Sequence, residues 1–193
     1  MNMFYRLPYF VKIKYIKYAI RTDFRIFAQY EEEMQDNHEE NRNKAIAKVL
    51  SRFYPAFSEI IDNNLVEEAI KKFIWFYECG RKDYHKSKKG NSSKREEIYS
   101  FNYDDEYIYS AFLEKYRIDL SYEKIHWWKF QALLKGLGEC EFTKIKGYRA
   151  YNGKDKEMLD IKEYWRLPQP NWEEEEKRRA SIIEQLQAYG KDK

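Results

Sequence analysis

The feature that most constrains the fold is the densest apolar stretch of the sequence, residues 125–137 (IHWWKFQALLKGL). At helical spacing its apolar positions are Trp127, Phe130, Leu134 and Leu137 on one face, widened by Ile125, Trp128, Ala132 and Leu133. A helix that is apolar over more than half its circumference usually packs on two sides. We therefore predict a central helix here, ended by Gly136 and Gly138. Its structural core motif is His126, Trp127, Trp128, Phe130, Leu133 and Leu134.

Shorter stretches of the chain show the same helical spacing. Apolar side chains recur every three or four residues in 40–57, 64–77 and 104–116, and shorter helices are predicted for 22–30, 139–151 and 155–165. Thr22 is the predicted N-cap of the first of these helices. Asn64 and Glu67 have the spacing of a capping box, and the carboxylates of 104–106 favour the N-terminal end of a helix dipole.

Residues 9–20 instead alternate as a half-buried strand does. Val11 and Ile13 alternate with lysines, and the alternation changes phase between Tyr15 and Ile16. One strand with a bulge and two short strands both explain this change. Either alternative gives a small β element at the N-terminus.

These patterns predict a mainly α protein, a single helical domain of about six to eight helices with a small N-terminal β element. With only 7 Gly and 4 Pro among 193 residues, a turn-rich all-β fold is disfavoured. The core domain spans residues 1–167 and includes a mobile basic loop at 81–95, where seven Lys or Arg stand against one Asp. Two prolines then separate a C-terminal amphipathic helix over residues 168–193.

The sequence carries no pattern typical of an enzyme. Phosphate-binding glycine loops, zinc-protease helices and serine-hydrolase elbows are all missing. His126 as a general base is the alternative to a structural role, which is favoured because no nucleophile or paired carboxylate lies nearby. Asp104, Asp105 and Glu106 point in different directions on a helix, so we assign them to the dipole rather than to a cation. We predict no catalytic residue, no metal site and no cofactor.

The chain also lacks the features of an exported or membrane protein. No apolar run reaches the roughly 20 residues of a membrane span. Lysines interrupt the apolar N-terminus, which has no small-residue cleavage site. Cys79 and Cys140 are far apart and have no ligand-spaced His, as expected for free thiols in a reducing cytoplasm.

Residues 99–137 (YSFNYDDEYIYSAFLEKYRIDL…HWWKFQALLKGL) resemble the phage gene-fifteen-product family, small proteins of tailed phages and prophages of Gram-positive bacteria. The most specific part runs from His126 to Phe130 and continues through Ala132-Leu133-Leu134 and Gly136-Leu137. Further matches are Thr22-Asp23-Phe24-Arg25, the helix that leads to Tyr116, Ile118, Asp119 and Leu120, and Tyr148-Arg149. Together the matches cover most of residues 10–150.

The resemblance implies a gene context more than a mechanism. Proteins of this kind are typically encoded just before the tape-measure protein, where tail assembly chaperones lie. Such chaperones hold the long, aggregation-prone tape-measure protein until tail-tube subunits polymerise around it. The resemblance thus implies a tail morphogenesis factor of the host cytoplasm with the tape-measure protein and the tail-tube protein as partners. A homo-oligomer and a hetero-oligomer with a second chaperone are both compatible with it.

The candidate partner-binding residues belong to the last helix and its approach. They are Trp165, Trp172, Ile182, Ile183, Leu186 and Tyr189. An amphipathic helix of this kind either docks on its own core or binds a partner, and both alternatives stay open.

Two other functions compete with the chaperone. One is a structural virion protein of the tail or connector. The other and weaker one is a nucleic-acid-binding module that uses residues 81–95. No membrane partner is expected.

Overall fold

The computed structural model describes residues 6–34, 39–80 and 98–168, with backbone alone at 39–41. Over these residues the predicted mainly α fold with a small N-terminal sheet is confirmed. The strands are β1 (Phe10–Ile13) and β2 (Ile16–Ala19). The helices are α1 (Phe24–Met34), α2 (Glu39–Phe53), α3 (Phe57–Asp62), α4 (Val66–Tyr77), α5 (Asp105–Tyr116), α6 (Trp127–Lys135), α7 (Glu141–Arg149) and α8 (Lys156–Tyr164).

The β element is an antiparallel hairpin, so two short strands are the correct alternative. The change of phase in the sequence is its two-residue turn, Lys14–Tyr15, between the paired residues Ile13 and Ile16. Lys14 has a φ of 49°, in the left-handed region that a tight hairpin turn requires. Val11, Ile13 and Tyr18 face the core and are buried.

Helices α1, α2 and α4 form an aromatic core around Phe27. The Phe27 ring is stacked on Phe76 and Trp127, with centroids 5.5 and 4.8 Å apart, and meets Phe53 edge-on at 5.8 Å. Offset stacks and edge-to-face pairs are the favoured arrangements of aromatic rings. Aromatic residues are 18% of the chain, and their rings fill this interior together with aliphatic side chains such as Leu50 and Ile60.

Helix α6 lies between this cluster and the C-terminal helices, as its broad apolar face predicts. Trp127 faces Phe27 on one side, while Phe130 stacks on Phe24 at 4.4 Å and on Phe112 of α5 at 5.1 Å. Trp127, Trp128, Phe130 and Leu134 are buried, and Leu133 is half-buried. The predicted helices at 139–151 and 155–165 are present as α7 and α8.

Two predicted caps are wrong. Asn64 does not cap α4: it has a φ of 53°, and Leu65 occupies the N-cap position without a side-chain cap. The reason is the short helix α3, whose Ile60 carbonyl accepts the Leu65 N–H at 2.9 Å. At α1 the cap is Asp23 rather than Thr22, since the Asp23 carboxylate accepts the Arg25 N–H at 3.0 Å.

Two predicted segments fall outside the described part of the chain. These are the basic loop at 81–95 and, apart from Pro168, the C-terminal helix over 168–193. Both remain predictions from the sequence.

Candidate functional site

His126 joins the start of α6 to the N-terminal hairpin. Its Nδ1 accepts the backbone N–H of Trp128 at 3.1 Å and so caps the helix. The ring proton therefore lies on Nε2, which donates to the carbonyl of Pro8 at 3.1 Å. Burial lowers the pKa of His126 and favours this neutral form. Tyr9 and Phe76 pack on the ring, with centroids 5.3 and 5.4 Å from it.

Trp127 and Trp128, which follow His126, cap the C-terminal end of α4. The indole N–H of Trp127 donates to the carbonyl of Tyr77 at 2.8 Å, and that of Trp128 to the carbonyl of Phe76 at 2.7 Å. The last carbonyls of a helix have no partner within the helix itself. Both side chains are 1% exposed, so a buried helix end receives the donors that water cannot supply.

Gly80 makes room for this arrangement. A Cβ at this position would lie 2.9 Å from the Trp128 ring and 3.2 Å from the Trp75 ring, and Gly80 has a φ of 63°. Its N–H donates back to the carbonyl of Trp75 at 2.8 Å. The absence of a side chain at Gly80 thus lets an indole approach the end of α4.

The most specific part of the family resemblance and the early match at Thr22–Arg25 contact each other. The carbonyl of Thr22 accepts the Trp127 N–H at 2.7 Å, and the Phe24 N–H donates to Ile125 at 2.9 Å. The Arg25 guanidinium pairs with Asp23 at 3.1 Å and donates to the carbonyl of Leu120 at 2.5 Å. Residues 22–25 therefore fix the start of α1 against the start of α6.

A buried ion pair holds the C-terminal helices, and the sequence did not indicate it. Asp104 is fully buried and binds Arg149 through two bonds, Nη1 to Oδ2 at 2.6 Å and Nη2 to Oδ1 at 3.0 Å. The carboxylate also accepts the Ser100 N–H at 2.9 Å. Arg149 further donates to the carbonyls of Trp165, at 2.6 Å, and Ile98, at 3.3 Å.

Asp104 stands at the N-cap of α5, at the helix start that the sequence predicted, but its carboxylate binds Arg149 and Ser100 rather than an α5 backbone N–H. In the sequence, Arg149 is notable only as a position that matches the family resemblance. Its partner Asp104 lies 45 residues away along the chain. No spacing rule joins such residues. A buried Asp–Arg pair can be found from sequence only by knowing which helices pack together.

One of the candidate partner-binding residues lies in the described part of the chain. Trp165 is half-buried at the end of α8, edge-on to Tyr107 with centroids 6.0 Å apart. Trp172, Ile182, Ile183, Leu186 and Tyr189 fall outside it. The structure thus gives Trp165 contacts within its own chain, and partner binding by these six residues stays a prediction.

A different surface combines exposed apolar side chains with positive charge. We call it the hairpin surface, and it comprises Tyr9, Phe10, Lys12, Lys14, Tyr15, Ile16 and Lys17. Phe10 is 49%, Tyr15 92% and Ile16 50% exposed. The Lys17 ammonium lies 4.3 Å from the centroid of the Phe10 ring. Residues 6–21 contain five Lys or Arg and no Asp or Glu.

The comparisons with known proteins identify the family. No curated protein and no solved structure matches the chain. The helices of the described residues include none long and apolar enough to cross a membrane. A family model described as bacteriophage Gp15 protein matches residues 3–170, which is most of the sequence and includes both contacting segments. The chain therefore belongs to the bacteriophage Gp15 protein family and is a phage structural or morphogenesis protein.

Proposed function

We propose that this protein is a non-enzymatic tail assembly chaperone of the host cytoplasm. In this role it binds the tape-measure protein and is displaced when tail-tube subunits polymerise. The observation that carries the proposal is the hairpin surface, where four large apolar side chains, Tyr9, Phe10, Tyr15 and Ile16, are each at least 47% exposed. Exposed apolar patches on a soluble protein commonly mark a binding surface.

The chemistry of the hairpin surface suits a client that is held and then released. Aromatic and aliphatic groups contact apolar segments of many sequences, which a chaperone for a long client needs. The three lysines among them keep the surface hydrated and oppose pairing between two copies. A small surface of this kind supports modest affinity, so growing tube subunits can compete for the client.

The hairpin is held firmly enough to present this surface. Besides the Pro8–His126 bond, the Lys14 N–H donates to a Glu68 carboxylate oxygen at 3.2 Å. At the end of β2, the Arg21 N–H donates to the carbonyl of Phe53 at 2.8 Å. Both ends and the turn of the hairpin are thus bonded to the helical core.

Co-expression with the tape-measure protein of the same phage tests the proposal. We expect the two proteins to co-purify, and the client to be insoluble without the chaperone. The variant Phe10→Ser/Tyr15→Ser/Ile16→Thr should lose the client while its thermal melt changes little. A matched control is Tyr122→Ser/Tyr164→Ser, which removes side chains 87% and 80% exposed on other parts of the surface. Equal loss of client in both variants would contradict a specific role for the hairpin surface.

Mass spectrometry of purified virions separates the proposal from its main alternative. A chaperone should be missing from the finished tail. Its presence in stoichiometric amounts would instead identify a structural protein of the tail or connector.

A further inference from the structure

The β2 edge of the hairpin has backbone groups that no described residue pairs. Counted from the two-residue turn, the hydrogen-bonded pairs of the ladder are Ile13↔Ile16 and Val11↔Tyr18. The next one is Tyr9 with Ile20, whose N–H donates to the Tyr9 carbonyl at 3.0 Å. In an antiparallel ladder the residues between such pairs direct their N–H and C=O groups away from the partner strand. On β2 these residues are Lys17 and Ala19.

The two edges of the hairpin differ. On the β1 side, Pro8 before the strand and Lys14 after it are bonded to the helical core at His126 and Glu68, while Phe10 and Lys12 between them make no outward backbone hydrogen bond to a described residue. Along β2 the outward N–H of Arg21 is taken by Phe53, but Lys17 and Ala19 make no backbone hydrogen bond outward to any described residue. Both are exposed. The open edge therefore offers two N–H donors and two C=O acceptors.

The charge around this edge determines what fits it. Lys12 and Lys17 are directly opposite each other in the register, on the same outer face as Phe10. Like charges at directly opposite positions destabilise a strand pair, and an acidic side chain laid beside them would remove that cost. A second copy of the hairpin would bring five more positive charges, so pairing between copies is disfavoured.

We propose that the β2 edge at Lys17–Ala19 binds an extended acidic segment of another protein as a third strand. Backbone groups of the segment pair with Lys17 and Ala19, and its carboxylates lie beside Lys12 and Lys17. Apolar side chains at its alternate positions lie on the opposite face of the hairpin, where they contact Ile16. Strand addition of this kind takes affinity from the backbone and selectivity from alternate side chains.

The test uses the full-length protein and a fluorescein-labelled peptide of alternating Glu and Val. We expect binding by fluorescence anisotropy that weakens as salt rises, since exposed charges are screened. A peptide with Lys in place of Glu should not bind. Lys12→Gln/Lys17→Gln should weaken binding and reduce its dependence on salt.

Ala19→Pro is the decisive variant. Because the Ala19 N–H points outward, proline removes an edge donor without removing a bond of the hairpin, and proline is tolerated at such edge positions. We expect binding to weaken by about tenfold or more with an unchanged melting temperature. Ala19→Val, which keeps the N–H, is the matched control and should bind as the wild type does.

Other results would overturn the proposal. Peptide binding that Ala19→Pro leaves unchanged would exclude strand addition. Tighter binding of an oligonucleotide would make the surface one for nucleic acid, and a concentration-dependent dimer lost in Ala19→Pro would make the occupant a second copy. Peptide binding that appears only after removal of residues 1–5 or 169–193 would mean that the removed segment of the same chain occupies the edge.

This inference builds on the proposed function, since the peptide represents a segment of the client. The two can fail separately because the peptide assay contains no tail protein. Co-purification of the client without peptide binding would contradict the strand addition alone. Peptide binding without any client would contradict the chaperone function alone.

Discussion

At the scale of single residues, the start of α6 depends on two buried indole N–H groups that both find acceptors. Trp127 and Trp128 are adjacent, and each donates its indole N–H to one of two successive carbonyls at the end of α4. Leaving a buried acceptor unpaired costs about 1–3 kcal/mol. The role of these side chains is therefore polar as well as apolar.

Replacing Trp128 should separate these two contributions. We expect Trp128→Ala to lower the free energy of unfolding by about 3–5 kcal/mol, as for a large aromatic truncated in a core. Trp128→Phe keeps a ring but removes one of the two donors to the Phe76 carbonyl, which still accepts the Cys79 N–H at 2.9 Å, and should cost about 0.5–1.5 kcal/mol. Trp75→Ala, at a ring 36% exposed, is the control and should cost less than Trp128→Ala. Urea denaturation measures all three, and a wild-type midpoint for Trp128→Ala would exclude the buried position.

Breaking the Asp104–Arg149 pair should be as costly as losing a core aromatic. Asp104→Asn leaves the Arg149 guanidinium, 9% exposed, without its counter-charge. Removal of one partner of a buried pair typically costs about 3–5 kcal/mol, whereas replacing both can be close to neutral. We expect Asp104→Leu/Arg149→Met to recover part of the loss. Chemical denaturation measures the free energy of unfolding of each variant. If the losses from the single substitutions add up to the loss in the double variant, the two residues are not coupled.

His126 should make stability depend on pH. Its pKa in the folded protein is lowered from the ordinary 6.5 by burial, so the unfolded chain takes up this proton first as the pH falls. The contribution of His126 is therefore complete above pH 6.5 and is lost as the pH falls from there toward the lowered pKa. His126→Asn keeps a cap acceptor but does not titrate. The difference in melting temperature between the two proteins should move in favour of the variant on acidification; a difference that does not change with pH would contradict a lowered pKa.

At the scale of elements, the sequence predicted the helices and strands, which are determined by residues close together along the chain. Helices of nine or more residues carry enough periodic positions to be recognised, and α6 also reveals its central place by its breadth. The six-residue α3 is too short for a periodic signal, and its presence moved the start of α4 away from Asn64. The caps on α4 and the Asp104–Arg149 pair join distant parts of the chain, so the periodicity that found the helices could not find these contacts.

The hairpin should become more stable when its facing lysines are made complementary. Lys12→Glu places a carboxylate directly opposite Lys17, and cross-strand pairs of opposite charge contribute about 0.2–1 kcal/mol. We expect a gain of about 0.5 kcal/mol in denaturant melts at low salt. High salt should reduce the gain, because an exposed pair is screened. A loss of stability would mean that another residue already neutralises Lys12.

At the scale of the whole molecule, we expect the described helices to fold without the last residues of the chain. Among these helices, α8 is fixed through Arg149 and the Trp165 carbonyl, before the two prolines at 168 and 170. Proline ends a helix, so the segment beyond is expected to be a separate unit. An isolated helix of that length is marginal without a surface to pack on.

Removing residues 171–193 should therefore leave a folded protein that binds its client or its own copies less well. Co-purification with a tape-measure fragment and a thermal melt, each on full-length and truncated protein, measure the two effects. Unchanged binding together with a large fall in melting temperature would show that the segment belongs to the core instead.

The hydrogen bond between Pro8 and His126 can form only late in synthesis, because it joins residues 118 positions apart. At elongation rates of about 5–20 residues per second, a ribosome needs roughly 6–24 s to reach His126 after Pro8. Until then the residues that form the hairpin lack their contact with α6. On a polysome, neighbouring nascent chains carry these strand-forming residues side by side. The lysines that interrupt those strands then keep the growing chains from pairing with one another.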